Sequence, residues 1–396
     1  MNIIFFDHYS RQSLLPLTFT RPVSELRIGI LTIREKWEKY LKAECSNWTE
    51  EYLSKLFPMR LTADNLFINA SVIPDNEFVS AVQNLSIGEQ LIQSGLLLAM
   101  RGGDERLNYN AIPGVLPTSK QTEYPHKAIV LKHPWDIFSI NSTAIEADYK
   151  MLTNGRKSAA ISDSNHVFGR ENIFLEEGAK VECSTLNALD GKIYIGKDAE
   201  VMEGCLIRGG LSLGEHSQLK MGTRIYGATS IGPHCKIGGE VNNSIIMGYS
   251  NKAHDGFLGN SVIGEWCNLG ADTNNSNLKN NYSEVKVWSY PEDDYVNTGL
   301  QFCGLIMGDH SKCSINTMFN TGTVVGVSSN IFGTGFPPKF IPSFAWGGSE
   351  GFSTYRLNEA MEVAERVYER RGKKLSDDEM EMFRYLFDQT TNHRAW

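Results

Sequence analysis

The chain is short of the features that mark export, membrane insertion or nucleic-acid binding. Near its start the apolar run is only Ile3–Phe6, with no basic residue before it. That is too short for a secretory h-region or a bilayer-spanning helix, so the expectation is a cytoplasmic protein without a membrane partner. Positive charge is scarce: 38 Lys and Arg stand against 46 Asp and Glu, a net of −8. No basic face of the kind that neutralises phosphates is legible, and no nucleic-acid partner is expected. The seven cysteines include no C-x-x-C pair, which argues against a zinc ribbon or a disulfide framework. No glycine precedes Gly29, so the first turns lack the permissive backbone that glycine-rich phosphate loops use.

What is present is enough apolar material, 41% of 396 residues, for two domains and an extension. From Ile195 an aliphatic residue returns every six positions, at 195, 201, 207, 213, 219, 225, 231 and 237. The fifth position of these units is small, as in Ala199, Cys205, Ser217, Thr223, Thr229 and Cys235. This is the hexapeptide pattern of a parallel β-helix: each unit is a flat strand and a corner, three units close a coil, and stacked coils bury a continuous core. Cys205, Cys235 and Cys267 then read as small buried hydrophobes. The frame shifts by two after Gly238-Gly239-Glu240-Val241-Asn242-Asn243 and resumes at Ile245, Asn251, Phe257, Ile263 and Leu269, which puts polar Asn251 at an inward position and leaves Lys252 outside. A non-repeating segment of about 274–302 follows, then a last run at Met307, Cys313, Phe319, Val325 and Ile331.

Four histidines, His216, His234, His254 and His310, take the outward fourth position. The first, second and last sit in ordinary corners and read as solvated. His254 differs because its unit has lost the aliphatic residue, which forgoes roughly 1.5–3 kcal/mol of burial, and because imidazole suits proton abstraction near neutral pH. Beyond the proline-marked GFPPKFIP, residues 354–371 show helical apolar spacing, and Ser376 with Glu379 forms a capping box for a second helix.

The run His254-Asp-Gly-Phe-Leu-Gly-Asn-Ser-Val-Ile-Gly, with Arg224 before it and Asn268 after it, resembles the acetyltransferase half of the bifunctional N-acetylglucosamine-1-phosphate uridyltransferase/glucosamine-1-phosphate acetyltransferase family. The resemblance implies that His254 is the general base that takes a proton from the amino group of glucosamine 1-phosphate as it attacks acetyl-CoA. It further implies that Arg224 grips the sugar phosphate, that Phe257 replaces a substrate-contacting Tyr, and that Asn268 and Asn277 contact substrate. The family's phosphate-binding Lys aligns with Asn242, and Lys252 or Lys279 would substitute for it. Trimers with sites between neighbouring β-helices also follow from the resemblance.

The segment Ser10–Arg27, with Arg11, Pro16-Leu17-Thr18 and Arg21-Pro22, resembles the opening of sugar-1-phosphate nucleotidyltransferases, which implies a nucleotide-binding role for Arg11 and Arg21. Ala63-Asp64-Asn65-Leu66-Phe67 echoes a thymidylyltransferase motif whose Asp holds Mg²⁺ with a second Asp, here Asp136 or Asp148. As ordinary residues, Asp64 would be a turn or cap, and Arg34, Glu35 and Lys36 a solvated helix face. The expected architecture is α/β plus all-β: a compact divergent nucleotidyltransferase-like domain over 1–155, a left-handed parallel β-helix over 165–335, and a helical extension over 350–396. Two activities are expected, acetyl transfer from acetyl-CoA and Mg²⁺-dependent nucleotidyl transfer from UTP or dTTP to a sugar 1-phosphate, giving UDP-N-acetylglucosamine. Two readings stay open beside it: a glucose-1-phosphate thymidylyltransferase-like enzyme with an inert β-helix, and a non-catalytic trimeric sugar-nucleotide-binding scaffold.

Overall fold

The computed structural model describes residues 2–7, 9–103 and 120–396. The chain divides into two units, Met1–Leu14, Thr20–Leu26 and Leu31–His133 in the first and Leu15–Phe19, Arg27–Ile30 and Pro134–Trp396 in the second.

The first unit is built on a mixed six-stranded sheet. Its strands are β1 (Asn2–Phe6), β2 (Cys45–Trp48), β3 (Asn65–Asn69), β4 (Glu89–Gln93), β5 (Leu96–Gly102) and β6 (Lys120–Glu123), in the order β2-β1-β3-β5-β4-β6. β1 pairs in parallel with both β2 and β3. The chain therefore steps to one side of β1 and then to the other, a topological switch point, where open α/β sheets leave a crevice outside the carboxyl ends of the strands. Helix α1 (Ile33–Leu41) opens on a capping box between Thr32 and Glu35. Its Trp37 is buried against Phe5 and Phe78, and the indole donates to Val72 O at 3.0 Å. The expected solvated face is therefore partly internal: Lys36 is 2% exposed, and Arg34 bridges Glu25 and Glu38.

In the second unit the hexapeptides form the expected left-handed parallel β-helix, with three faces of six, nine and ten strands. All eight aliphatic residues from Ile195 to Ile237 point inward and are at most 2% exposed. The small fifth-position residues are buried beside the corners, Cys205 and Cys235 among them. Helices α2 (Asn76–Gln83) and α3 (Pro134–Ser139) precede α4 (Asn141–Thr153); α3 and α4 lie against the nine-stranded face. That cover buries outward-pointing Ile245 and Val262 as completely as inward ones.

The second frame differs from the expectation by one residue. Register pairs Ile231 with Ile246, Ile237 with Lys252 and Val241 with Leu258. The inward residues are thus Ile246, Lys252 and Leu258, not Ile245, Asn251 and Phe257, and the frame rejoins the expected one at Ile263 and Leu269. The cause is a short path through Gly238-Gly239 to Val241, which removes part of two corners.

The fourth-position residues sit at left-handed corners, with φ of +55° at His216, +58° at His234, +53° at Tyr249, +59° at Trp266 and +62° at His310. Their rings stack coil upon coil, His216 on His234 at 5.0 Å, His234 on Tyr249 at 4.8 Å and Tyr249 on Trp266 at 4.2 Å. His310 is not solvated: it is 6% exposed beneath Phe383. Helices α5 (Leu357–Glu369) and α6 (Asp377–Gln389) close over this column, with Tyr368 stacked on Trp266 at 4.2 Å. The extension is a packing element on its own solenoid.

The excursion is shorter than 274–302, because Asn274–Asn275 still pairs with Met318–Phe319. It carries the hairpin Lys286–Ser289/Asp294–Asn297, whose Trp288 stacks on Phe340 at 4.2 Å. Among the described residues no helix is long and apolar enough to cross a membrane.

Candidate active site

On the six-stranded face, side chains flanking each inward residue point outward in two columns. Register aligns Leu206, Arg224, Glu240 and Phe257 in one, and Arg208, Tyr226, Asn242 and Gly259 in the other. Neighbouring rungs of a sheet are about 4.8 Å apart, so Arg224 stands two rungs from Phe257. Glu240 lies between them and ties the face together: its carboxylate accepts from Tyr226 Oη at 2.6 Å and pairs with Arg224 Nε at 3.5 Å. A groove of about 870 Å³ opens here, lined by Asn187, Arg208, Arg224, Tyr226, Glu240 and Asn243 among others. Arg224 is half-exposed.

Phe257 folds over its own strand. A Cβ on Gly259 would meet Phe257 Cζ at 2.6 Å and Asn277 Nδ2 at 2.6 Å. Phe257 and Asn277, distant in sequence terms, are thus brought together, and Asn277 donates to Asn260 Oδ1 at 2.8 Å. Asn268 is exposed on the ten-stranded face, paired with Asn251. It does not share a face with Arg224 and Phe257.

His254 is exposed at the corner between Asn251–Lys252 on the ten-stranded face and Phe257–Gly259 on the six-stranded one. The corner needs glycine at 256, where φ is +110° and a Cβ would lie 2.2 Å from Thr273 O. Lys252 is not a surface residue that a sugar phosphate can touch. It is 2% exposed, and its ammonium donates to Gly238 O (2.9 Å), His254 O (2.9 Å) and Asp255 O (3.3 Å) inside the coil. The physical reason is the one-residue slip, which turns Lys252 inward and Asn251 out, where Arg371 donates to it at 3.4 Å. Burial pushes the Lys252 ammonium down to about 8, against the pull of Asp255 and Asp272. Asn275, which the sequence reading passed over, is also turned inward: it accepts from Gly259 N at 2.9 Å and donates to Gly259 O at 3.1 Å.

In the first unit, Asp7 ends β1 at the switch point. Its carboxylate accepts from Thr49 Oγ1 at 2.5 Å and Val23 N at 3.0 Å and pairs with Arg11 at 3.5 Å. Burial raises its pKa, and Arg11, the second influence, opposes the rise. Arg11 is buried as well, donating to Tyr52 Oη at 2.6 Å and reaching Glu50 at 3.6 Å. Arg21 is buried at 6% exposure. No sequence signal isolates Asp7 beyond its place directly after an apolar strand.

Asp64 precedes β3, at the amino end of the parallel strands and away from the carboxyl ends where Arg11 lies. Both its oxygens are held by Arg101, at 2.9 Å each, and this pairing lowers its pKa. Asp136 lies in the first turn of α3 and belongs to the second unit. Asp148, the alternative partner, is buried and accepts from Ile30 N at 2.8 Å. No group of three or more metal-ligating side chains occurs among the described residues. At Asp64 both carboxylate oxygens are engaged by Arg101, so a cation there would compete with that pair.

Residues 3–157 match the family model described as sugar nucleotidyl transferase. The chain is 27% identical over 215 residues to the bifunctional sugar-1-phosphate nucleotidylyltransferase/acetyltransferase of Sulfurisphaera tokodaii, covering 54% of this chain and 47% of that protein. It thus spans about half the length of that curated relative. Similar solved structures include a UDP-N-acetylglucosamine acyltransferase from Bacteroides fragilis (TM-score 0.34, 17% identity, 58% of this chain and 96% of that one). Another is the UDP-N-acetylglucosamine acyltransferase of Arabidopsis (TM-score 0.25, 17% identity, 52% of this chain and 77% of that one).

Proposed function

From a sugar-nucleotidyl-transferase-family domain at residues 3–157 that runs into a hexapeptide β-helix, we propose a bifunctional sugar-1-phosphate transferase. It acetylates the amino group of glucosamine 1-phosphate from acetyl-CoA and joins the product to UMP from UTP, giving UDP-N-acetylglucosamine and pyrophosphate. The observation that carries the reading is this pairing in one chain with an exposed His254, set on a backbone-locked corner beside Phe257. The bifunctional relative supports it at low identity.

In the acetyl step His254 takes a proton from the sugar nitrogen as that nitrogen attacks the thioester carbonyl. The C–N bond forms, the C–S bond breaks, and the CoA thiolate leaves to be protonated. Arg224 supplies a half-exposed guanidinium for the sugar phosphate, steadied by Glu240. In the first unit the nucleotide goes to the carboxyl ends of the parallel strands, where the buried Asp7–Arg11 pair and buried Arg21 underlie the site. Divalent metal would neutralise triphosphate charge in that step, and no described residue is assigned to it. Neighbouring β-helices would complete the acetyl site as a homotrimer, for which light scattering should give three times the 44.3 kDa chain mass.

The test is a coupled assay on the full chain. Glucosamine 1-phosphate with acetyl-CoA should release free thiol, and N-acetylglucosamine 1-phosphate with UTP should release pyrophosphate. Pyrophosphate only with dTTP would move the assignment to a thymidylyltransferase. Neither thiol nor pyrophosphate would leave a sugar-nucleotide-binding scaffold.

A further inference from the structure

We infer that Lys252 is a positioning residue for the acetyl-transfer site: its ammonium, sealed inside the β-helix, clamps the backbone of the corner that presents His254. The clamp is independent of the proposed chemistry; its effect on turnover rests on that reading.

An ammonium has three donors, and this one has three backbone acceptors within reach. Gly238 O belongs to the coil beneath, while His254 O and Asp255 O belong to the corner itself. One side chain therefore ties the His254 turn to its neighbour from within, and its aliphatic stem takes the rung position between Ile237 and Leu269. The coil beneath makes room: Gly239, at φ +73°, would put a Cβ 2.9 Å from Lys252 Nζ.

On its other side the same segment lacks a regular ladder. Phe257 N donates to Asn274 Oδ1 at 2.8 Å and Gly259 N to Asn275 Oδ1 at 2.9 Å, side chains standing in for the backbone carbonyls of a next strand. The stretch from His254 to Gly259 is held from below by its ladder with Glu240–Asn242 and by Glu240 N donating to Gly256 O at 3.1 Å, and Asp272 N donates to Asp255 O at 3.0 Å; the bond from Lys252 reaches the carbonyl of His254 itself. A general base acts only within hydrogen-bond reach of its proton, and a displacement of about 1 Å can lower a rate about 100-fold. An inward aliphatic residue would fill the rung but would lose the bonds to His254 O and Gly238 O, leaving the corner held at Asp255 O and Gly256 O only.

The experiment compares wild type with Lys252→Met in the full chain by amide hydrogen exchange over residues 253–257, thermal unfolding, and CoA release with kcat and KM separated. The expected result is a Tm equal to or above wild type, at least about tenfold faster exchange confined to that segment, and kcat lowered about 10–100-fold with KM for acetyl-CoA within about twofold. Lys252→Gln, which keeps two N–H donors, should fall between the two, and it decides the question by the same readings if the Met variant does not fold. Unchanged exchange would overturn the clamp. Faster exchange with unchanged kcat would overturn the positioning role. A wild type that releases no CoA would instead defeat the acetyl-transfer reading, and exchange would still decide the clamp.

Discussion

Two stretches of one solenoid use the same backbone for different ends. From Ile195 to Ile237 every inward rung is aliphatic and closed to solvent, and the stacked rings of His216 and His234 stand at outward corners. From Lys252 to Asn275 two of the inward rungs are a cation and an amide, each bonded to carbonyls or amides of the corners around it. The rungs are interchangeable in shape but not in what they lock. Aliphatic rungs stabilise without direction, whereas the polar ones forgo roughly 1.5–3 kcal/mol of burial each and fix the path of one exposed turn. The polar rungs occur in the coil whose strand and corner carry Phe257 and His254 and in the next coil, which brings Asn277 to Phe257.

The comparison breaks most directly in the regular stretch. Ile225→Lys places an ammonium in a coil whose corner carbonyls are already paired through the ladder, and an unpaired buried charge should destabilise by about 3–5 kcal/mol. Loss of soluble protein or of the circular-dichroism transition is expected, and a stable Ile225→Lys variant would show that any rung accepts a cation. Next in size, His254→Ala should reduce CoA release by about 10²–10⁴-fold while leaving thermal unfolding unchanged, since the ring is exposed. A variant that turns over normally would separate the polar rungs from catalysis.

A smaller effect has a fixed sign with pH. Burial holds the Lys252 ammonium at about 8 in the folded chain against an ordinary 10.5. The folded state therefore binds this proton less readily than the unfolded one. Its contribution is complete above pH 10.5 and is lost as pH falls through about 8. The stability gained by Lys252→Met should grow from pH 10 down to pH 7.5, by at most roughly 2–3 kcal/mol, as read from paired denaturant melts. A constant difference would mean that Lys252 titrates near its ordinary value. The smallest effect lies outside the solenoid: Arg101→Met removes the Asp64 bridge, part-exposed on both sides, and should change first-unit stability by less than about 1 kcal/mol.

The regular coils were legible because a six-residue aliphatic period has few other physical solutions, and Ile195–Ile237 obey it. The second frame was not, because Ile245-Ile246 and Phe257-Leu258 offer two apolar residues per rung. The register set by the short path to Val241, which no period reveals, turns Ile246 inward, and the helical cover of the nine-stranded face removes the exposure that would have marked its outward residues. Lys252 falls outside in the frame that starts at Ile245, because that frame gives the inward position to Asn251, whereas the register pairs Lys252 with Ile237. The available hint was Gly238-Gly239 one coil below, a place where something must approach the backbone closely. Arg11 and Arg21 could be singled out by resemblance, but Asp7 could not. It matters only through the order β2-β1-β3, which no local pattern encodes.

The six-stranded face stops at Phe257–Gly259 while the other two run on, and amide side chains alone bridge it to Asn274–Asn275. In a linear array whose stability is a sum of nearest-neighbour couplings, that junction is coupled by a different set of bonds from the ladders on either side. The lower and upper coils are two cooperative blocks joined along two edges of a triangle. At the third edge the Lys252 bonds hold the corner and the bond from Asp272 N to Asp255 O does the joining, so an occupant of the groove would act on a seam closed by a few named bonds and not by a continuous ladder.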